Sequence, residues 1–439
     1  MHNCDVIFPV VIQLYSPIFK KYHFQRILMF PVMLQDILYL ASIDYYLLLY
    51  ILWHILNSNI SSNTYTDFLI VIIFCPFNTK ETFLDQDNIK YNKNYLLKMK
   101  AAVFKAPGLE NLEIKEYLDP EITDQEILMR VKVAGINPID YFVVSGKHGI
   151  KSGPRLEAKP LPHIPGAEIS GVVERVGNNV NRRLNEGDRV VVYSRLFDGS
   201  CDLCLNSSEM LCKNGGLISV VSNGGFAEYI AVPEQNVFKI PDDMDWDLAA
   251  SLSVTALTPF HALKEASLKI NESLLVFGAS GNTGMLAIQF AKKMGAKVIA
   301  VTTKNWIKEF GADHITTFDK VIEEVKEFTQ GNMAAVVLNT LGADTWQKSL
   351  DAIAINGRWV TFGVLTGAEV KLNLQSLYSK QIKLIGTTGG SRKEFKEIID
   401  NSKGLKIKVW KKFKLEEARE ALQALFEKER EGRILLNIS

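Results

Sequence analysis

The pattern of hydrophobic and polar positions changes near Trp246. Between residues 99 and 245, short runs of β-branched residues are separated by glycine, proline and asparagine, as in ISGVVERVGNNV. Short runs bounded by turn residues are typical of a mostly β lobe. From 246 to 386, short apolar runs alternate with segments whose apolar positions recur every three or four residues. This alternation predicts a parallel sheet with helices on both faces.

Six apolar runs in the second region are the candidate strands of that sheet. They read SLLVFG, KVIAV, HITTF, AAVVLNT, GRWVTFG and IKLIGTT. Six such strands with intervening helices are the number found in a dinucleotide-binding fold. The last segment, residues 387–439, contains the amphipathic pattern KLEEAREALQALFEKER followed by a final apolar run. We expect one helix there, and then a strand that can return to the β lobe.

The first 98 residues differ in composition from the rest of the chain. They contain one alanine, Ala41, and none of the 29 glycines. The run from Ile37 to Leu56 is long enough to span a bilayer and contains one charge, Asp44. Two interpretations stay open: a membrane anchor, and an upstream reading of AT-rich sequence ahead of a start at Met99. The composition favours the second, so a chain beginning at Met99 is expected to fold.

Charge and cysteine content narrow the functional classes. The formal net charge of +1 at pH 7 provides no basic surface for nucleic acid. Five cysteines, three of them between residues 201 and 212, are too few and too clustered for a disulfide framework. A reducing, cytoplasmic location is therefore expected, and the cluster is a candidate for metal or redox chemistry. Apart from the first 98 residues, nothing indicates a membrane partner.

The turn after the first strand of the second region reads GASGNTG. Its glycines allow a tight turn and a close approach of the backbone to a pyrophosphate, whose charge the helix N-terminus stabilises. Because the pattern lies between a predicted strand and a predicted helix, it indicates nucleotide binding. The residues expected to contact the cofactor are Gly278, Ser280, Gly281, Asn282, Thr283, Gly284, Thr303, Lys304, Gly363 and Thr388.

The end of the second strand bears on which nicotinamide cofactor is bound. An NAD-specific site usually has Asp or Glu about 20 residues beyond the glycine loop, where it binds the ribose hydroxyls. This chain has Thr302, Thr303 and Lys304 there instead. Two hydroxyls and a cation suit a 2′-phosphate, so NADPH is expected and NADH is the less favoured cofactor. The alternative is that Lys304 is a solvated residue at the start of a helix.

Seven segments downstream of Met99 carry a family resemblance. They are VAGINPID, IPGAEISGVVERVG, GDRVVV, GGFAEYIAVP, AASLSVTALTPFHAL, GASGNTG and GTTGGSRKEF. Together they resemble the medium-chain dehydrogenase/reductase family of zinc alcohol dehydrogenases and quinone or enoyl reductases. The resemblance implies an α/β protein with a GroES-like catalytic lobe at 99–245, a Rossmann lobe at 246–386 and a segment 387–439 that returns to the first lobe. It also implies a nicotinamide cleft between the lobes, and a homodimer or homotetramer.

The resemblance also locates the catalytic zinc ligands of the alcohol dehydrogenases, and this chain lacks them. Asn137, Ala167 and Val254 occupy those positions, and none of the three is a suitable zinc ligand. The NPID segment resembles the zinc-free quinone and enoyl reductases, whose conjugated acceptors need no Lewis acid. Asn137 is then the candidate that binds the acceptor oxygen or the nicotinamide ribose. His148 is the candidate proton donor, although an exposed loop histidine is an equally good interpretation.

Asp198, Cys201, Cys204 and Cys212 follow the spacing of a second, structural zinc loop in many family members, with a carboxylate in the first position. Three thiolates and one carboxylate complete a tetrahedral shell and leave no open position for substrate. The resemblance therefore implies one structural zinc. Two alternatives stay open, namely unrelated cysteines in a loop and a redox pair formed by Cys201 and Cys204.

The leading functional hypothesis is an NADPH-dependent reductase of quinones or α,β-unsaturated carbonyls that acts without catalytic zinc on a small-molecule substrate. One alternative keeps alcohol or aldehyde as the substrate. Another is a catalytically silent protein that binds NADP(H).

Overall fold

The computed structural model describes residues 98–147, 158–181 and 184–439. The interpretation of the first 98 residues, apart from Lys98, and the role of His148 lie outside these described residues. Within the described part, no helix combines the length and apolar character needed to cross a bilayer.

The six strands predicted for residues 246–386 all occur, in the predicted order. The strands are β1 Lys98–Phe104, β2 Leu112–Leu118, β3 Glu126–Gly135, β4 Glu168–Val176, β5 Arg189–Val192, β6 Arg195–Leu196, β7 Gly216–Leu217, β8 Tyr229–Pro233, β9 Val237–Lys239, β10 Ser273–Phe277, β11 Lys297–Val301, β12 His314–Thr316, β13 Ala334–Asn339, β14 Ile353–Thr361, β15 Lys383–Gly386, β16 Val409–Lys414 and β17 Arg433–Asn437. The helices are α1 Pro138–Val144, α2 Asp202–Leu205, α3 Trp246–Ala249, α4 Leu257–Glu265, α5 Asn282–Lys293, α6 Val321–Phe328, α7 Ala343–Asp351, α8 Leu374–Ser379, α9 Arg392–Asp400 and α10 Ala418–Gln423.

The β lobe is built on a sheet of order β16-β17-β3-β4-β5-β9, with β8 also paired to β3. Strands β3 and β4 are antiparallel, and their pairing shifts register at two places. Residues on one face of β3, among them Ile127, Met129 and Val131, are fully buried. One face of β3 therefore points into the core of this lobe.

The second lobe confirms the predicted parallel sheet. Its order is β12-β11-β10-β13-β14-β15, and all neighbouring pairs in it are parallel. The central strands β10 and β13 carry runs of fully buried apolar residues because helices cover both faces. The strand order reverses between β10 and β13, which places the crevice for a ligand beyond the carboxyl end of β10.

The two lobes share apolar contacts that hold the cleft between them. Tyr193 and Phe238 of the β lobe belong to the same buried cluster as Leu257 and Phe395 of the second lobe. The hydroxyl of Tyr193 donates a hydrogen bond of 2.7 Å to the carbonyl oxygen of Gly390. The walls of the cleft are therefore positioned by a common core.

The predicted single helix of the tail is wrong in length. Within KLEEAREALQALFEKER only Ala418–Gln423 is α-helical, flanked by the 3₁₀ turns Leu415–Glu417 and Ala424–Phe426. The sequence analysis also missed β16. The final strand, β17, pairs with β3, with Leu435 opposite Gly135, so the tail does return to the β lobe.

Candidate functional site

A cleft of about 660 Å³ lies between the two lobes. The β lobe and the start of α4 contribute Asn137, Pro138, Ile139, Phe142, Ser194, Arg195, Gly216, Leu217, Val220, Val221, Ser253, Val254 and Thr258. The second lobe and the tail contribute Gly278, Ser280, Gly281, Asn282, Thr283, Thr340, Leu341, Phe362, Gly363, Val364, Leu365, Thr388, Gly389, Leu425, Glu427 and Arg430. Most of the walls near Asn137 are apolar, with a small number of polar groups, as is typical of a small-molecule site.

The glycine loop joins β10 to α5 at the edge of this cleft. Gly278 has a φ of +72°, a conformation that an L side chain rarely adopts. A Cβ on Gly284 would stand 2.3 Å from the carbonyl oxygen of Gly278, so only glycine lets the helix start this close to the strand. Gly281 is the N-cap residue of the 12-residue helix α5. The free N–H groups and the helix dipole at this end suit a pyrophosphate, so the loop fits a dinucleotide.

Most of the residues expected to contact the cofactor line the cleft. They are Gly278, Ser280, Gly281, Asn282, Thr283, Gly363 and Thr388. Gly284, Thr303 and Lys304 do not belong to the described lining, because Gly284 lies within α5 and the other two follow β11.

The end of β11 forms a separate polar cluster next to the loop. The hydroxyl of Thr302 donates to Ser280 Oγ at 3.0 Å, which ties the end of β11 to the glycine loop. The side chain of Thr303 is exposed. Lys304 Nζ pairs with Glu431 Oε1 at 3.0 Å, and Lys408 Nζ lies 3.6 Å from Glu431 Oε2. An NAD-specific site usually has its acid at this point of the chain. Here Lys304 follows β11, and Glu431 and Lys408 from the tail lie beside it.

The positions of the missing catalytic zinc ligands come together at the base of the cleft. Asn137 is the N-cap residue of α1, and its N–H donates to Asp140 Oδ2 at 2.9 Å. The N–H of Ala167 donates to Asp140 Oδ1 at 3.0 Å, and the N–H of Val254 donates to Glu168 Oε1 at 2.7 Å. The backbone of all three positions is thus held by two buried carboxyl groups.

A buried ion pair stands beside these positions. Glu168 and Arg433 are both 0% exposed, and Arg433 Nη2 donates to Glu168 Oε2. Arg433 also donates to the carbonyl oxygen of Ile136 at 2.8 Å, and Glu168 accepts the hydroxyl of Thr255 at 2.7 Å. A buried pair persists only when its remaining donors and acceptors are satisfied in this way. The cation opposite Glu168 is therefore a side chain of the protein itself.

Asn137 belongs to this network and also lines the cleft. Its Nδ2 donates to Glu168 Oε2 at 2.9 Å, and its Oδ1 accepts from Arg433 Nη1 at 3.0 Å. Both ends of the amide therefore have partners. A direct hydrogen bond from Asn137 to a substrate or ribose would require one of them to rearrange, so the geometry supports a positioning role for this side chain.

Asp140 is fully buried beneath the same network. Burial raises the pKa of its carboxyl group to about 7, against the opposing effect of the N–H groups of Asn137 and Ala167. Burial also lowers the pKa of Arg433. One buried cation thus faces two buried carboxyl groups, and a proton on Asp140 brings the cluster to neutrality.

Sequence analysis missed Arg430 and Arg433. Arg430 lines the cleft and donates to Asn282 Oδ1 at the start of α5, while Asn282 Nδ2 donates to the carbonyl oxygen of Ile136 at 3.1 Å. These bonds connect the tail, the cofactor loop and the β lobe. The sequence carried only a weak signal, since Arg433 directly precedes the apolar run ILLNI.

The predicted metal ligands form one compact group. The ligand atoms of Asp198, Cys201, Cys204 and Cys212 all lie within 4.8 Å of one another. Cys201 Sγ is 3.5 Å from Cys204 Sγ and 3.9 Å from Cys212 Sγ. Tetrahedral ligands at the usual zinc–sulfur distance stand about 3.8 Å apart. The donor set and its spacing therefore fit a zinc ion, which would cross-link β6, α2 and the turn before β7.

The carboxylate of this group is held in place by its own loop. Asp198 Oδ1 accepts the N–H groups of Ser200 and Cys201, at 2.9 and 3.1 Å, and Asp198 Oδ2 accepts Asn214 Nδ2 at 2.6 Å. These hydrogen bonds lower the pKa of Asp198. It is ionised at neutral pH and available as the fourth ligand.

The comparisons with known proteins agree with the two-lobe architecture. Residues 123–242 match the model of the alcohol dehydrogenase GroES-like domain, and residues 283–403 match that of the zinc-binding dehydrogenase. An alcohol dehydrogenase of Geobacillus stearothermophilus is 31% identical over 353 residues, 77% of this chain and 100% of that protein. An acryloyl-coenzyme A reductase of Sulfurisphaera tokodaii is 28% identical over 346 residues, 77% of this chain and 99% of its own length. The solved structure of a thermostable alcohol dehydrogenase from Pyrobaculum aerophilum matches with a TM-score of 0.71 and 38% identity, covering 78% of this chain and 100% of that one.

Proposed function

The chain belongs to the medium-chain dehydrogenase/reductase family of oxidoreductases, and we propose that it reduces α,β-unsaturated carbonyl compounds or quinones with NADPH and without a catalytic metal. The observation that carries the proposal is the network of Asn137, Glu168 and Arg433. This network lies beside the positions that the family's alcohol dehydrogenases use to bind zinc. Its ion pair is hydrogen-bonded within the protein and leaves no coordination position for a metal. Alcohol oxidation in this family depends on a Lewis acid, whereas addition of hydride to a conjugated acceptor does not.

The residues of the cleft suit this reaction. Bound NADPH supplies the hydride, which adds to the β-carbon of an enone or to a quinone ring. The glycine loop and Arg430 would hold the phosphates of the cofactor, and Asn137 and Val254 line the same cleft, where the nicotinamide would bind. Apolar side chains from Ile139, Phe142 and Val221 exclude water from the acceptor. The protein thus orients donor and acceptor, which is the main contribution required when the acceptor is already polarised.

The relatives favour one acceptor class within the proposal. The acryloyl-coenzyme A reductases of Sulfurisphaera tokodaii and Metallosphaera sedula are 28% and 29% identical to this chain. Acryloyl-coenzyme A is an α,β-unsaturated thioester. We therefore place enoyl thioesters and enones ahead of quinones. The alcohol dehydrogenases among the relatives support a second candidate, the interconversion of alcohol and aldehyde.

Steady-state oxidation of NADPH against a panel of acceptors separates these candidates. The panel contains acryloyl-coenzyme A, an alkyl enone, a benzoquinone and an aliphatic aldehyde, and alcohol oxidation is followed in reverse. We expect turnover with the thioester or the enone, and no more than trace activity with aldehyde. Turnover with aldehyde and alcohol only would establish the second candidate. NADPH binding without turnover of any acceptor would indicate a silent NADP(H)-binding protein.

The choice of NADPH is tested at the end of β11. Lys304 is the cation that we propose for the 2′-phosphate, and its Nζ pairs with Glu431 Oε1 at 3.0 Å. The variant Lys304→Glu is expected to weaken NADPH binding about 10- to 100-fold, the usual effect of losing a charge-assisted contact to an anion. NADH binding should change much less, and Lys308→Glu, an exposed position in the same turn, serves as the control. Wild-type protein that binds NADH as tightly as NADPH would contradict the assignment.

A further inference from the structure

Ser253 has a buried hydroxyl group with no hydrogen-bond partner among the described residues. The residue is 3% exposed and lines the cleft, and Ser253 Oγ makes no hydrogen bond to any of the described residues. Buried hydroxyl groups are almost always paired, because leaving one unpaired costs the full penalty of removing it from water. An unpaired donor that lines a ligand cleft therefore points to a group on the ligand.

The neighbouring hydroxyl groups show that this arrangement is specific to Ser253. Ser251 Oγ donates to the carbonyl oxygen of Asp247 at 2.9 Å and accepts from Arg433 Nε at 3.1 Å. Thr255 Oγ1 donates to Glu168 Oε2 at 2.7 Å. The hydroxyls on either side are thus used within the protein, and the one between them is not.

The local backbone is rigid enough to keep the hydroxyl in place. Ser253 lies in a π-helical turn, Leu252–Ala256. The N–H groups of the next two residues, Val254 and Thr255, both donate to Glu168 Oε1, at 2.7 and 2.6 Å. The fully buried partner of Glu168, Arg433, fixes that carboxylate in turn. Turns of this type often occur at functional sites, because the extra residue redirects a side chain.

We infer that the hydroxyl of Ser253 donates a hydrogen bond to the carbonyl oxygen of an α,β-unsaturated thioester or ketone and stabilises the enolate formed on reduction. This inference rests on the proposed function. Ser253 directly precedes Val254, a position that the family resemblance assigns to a zinc ligand, and both residues line the cleft. The apolar neighbours Ile139, Val221 and Val254 suit the hydrocarbon part of such a substrate.

The chemistry balances with NADPH as the reductant. Hydride from the cofactor forms a C–H bond at the β-carbon, the C=C π electrons move to the α-carbon and carbonyl, and an enolate oxygen results. Ser253 keeps its proton and donates a hydrogen bond that strengthens as negative charge develops on that oxygen. A proton from water then adds at the α-carbon and restores the C=O bond, leaving the saturated product and NADP⁺.

The test compares Ser253→Ala with wild-type protein on acryloyl-coenzyme A and an alkyl enone. Loss of one donor to a developing oxyanion is expected to lower kcat about 10- to 100-fold, while the dissociation constant of NADPH stays unchanged. Ser402→Ala is the matched control, because Ser402 is also a buried serine but bonds within its own helix end, to the carbonyl oxygen of Ile399 at 2.8 Å. Its kcat should equal that of the wild type.

A spectroscopic measurement separates contact with the substrate from a structural role. The carbonyl stretch of a bound, ¹³C-labelled saturated thioester is recorded by infrared difference spectroscopy. In wild-type protein the band should lie below its position in an apolar solvent, and in Ser253→Ala it should return toward that position. If the wild type is active and Ser253→Ala has the same kcat and the same carbonyl band position as the wild type, the inference about Ser253 is wrong. The proposed function would not be affected by that result. Wild-type protein that reduces no acceptor would overturn the proposed function, and the band shift would then still decide whether Ser253 binds the carbonyl group.

Discussion

Two regions of the β lobe correspond to metal positions of the family, and they differ in one respect. The loop of Asp198, Cys201, Cys204 and Cys212 keeps four ligand atoms within 4.8 Å of one another. The base of the cleft has lost every expected ligand, and an arginine supplies the cation there. The two positions are therefore built differently. One has four donors that fit an ion, and the other holds a hydrogen-bonded ion pair.

The electrostatics of the two regions differ. Three thiolates and the carboxylate of Asp198 would repel one another unless a cation joined them, and no lysine or arginine pairs with Asp198 among the described contacts. Glu168 is fully buried and has Arg433 as a fixed partner. Arginine matches a carboxylate geometrically but offers no empty orbital for substrate oxygen. Arg433 balances the charge of Glu168 and cannot act as a Lewis acid.

The largest expected effect comes from breaking the metal loop. In Cys204→Ser the metal loses a buried thiolate, and because binding energy at a structural site is folding energy, the free energy of unfolding should fall by about 5 kcal/mol or more. Elemental analysis should find one zinc per wild-type chain and less in the variant, with a lower melting temperature. Leu205→Ser, at the next and 73% exposed position, is the control. Native wild-type protein without metal would reject the site.

Breaking the ion pair tests the other side of the comparison. Arg433→Met leaves Glu168 as an unpaired buried charge and is expected to cost about 3–5 kcal/mol of unfolding free energy, measured by denaturant titration. The double variant Arg433→Met, Glu168→Gln removes that charge and should recover part of the loss. Zinc content should stay at the wild-type level in both. An Arg433→Met protein as stable as wild type would mean that Arg433 is not the cation that stabilises Glu168.

The contributions of the two regions to the stability of the fold should also change with pH in opposite directions. The pKa of Asp140 is raised to about 7 in the folded chain, so folding binds a proton that the unfolded chain releases above its ordinary pKa of 3.8. Its contribution to stability is therefore greatest below pH 4 and is lost as pH rises toward 7, by at most about 4 kcal/mol. Metal binding has the opposite dependence, because its ligands must lose protons.

Comparison with Asp140→Asn isolates that contribution. The difference in unfolding free energy between wild type and Asp140→Asn should shift against wild type between pH 5 and pH 8. The variant is needed because His163 also titrates in this range, and burial lowers its pKa, so its contribution falls on acidification. A difference that stays constant with pH would show that Asp140 is ionised throughout.

Sequence patterns predicted the features of this molecule that depend on residues close together in the chain. The glycine loop, the six parallel strands and the spacing of the metal loop each follow from residues close together in the chain. The Glu168–Arg433 pair joins residues 265 positions apart, and no periodicity reports such a contact. The unpaired hydroxyl of Ser253 is likewise visible only once its neighbours are placed. The homodimer or homotetramer stays a prediction.

The smallest expected effect is that of metal removal on hydride transfer. The four donors complete a tetrahedral shell, so a zinc ion there has no position for substrate. The loop does reach the cleft indirectly, because Arg195 of β6 donates to Thr388 Oγ1 at 3.0 Å. Loss of the ion should therefore loosen one wall without removing a reacting group. After treatment with a chelator at a temperature where the fold persists, kcat for NADPH oxidation is expected to stay within about twofold of the untreated enzyme. A loss of more than tenfold in folded protein, restored by added zinc, would show that this metal takes part in the reaction.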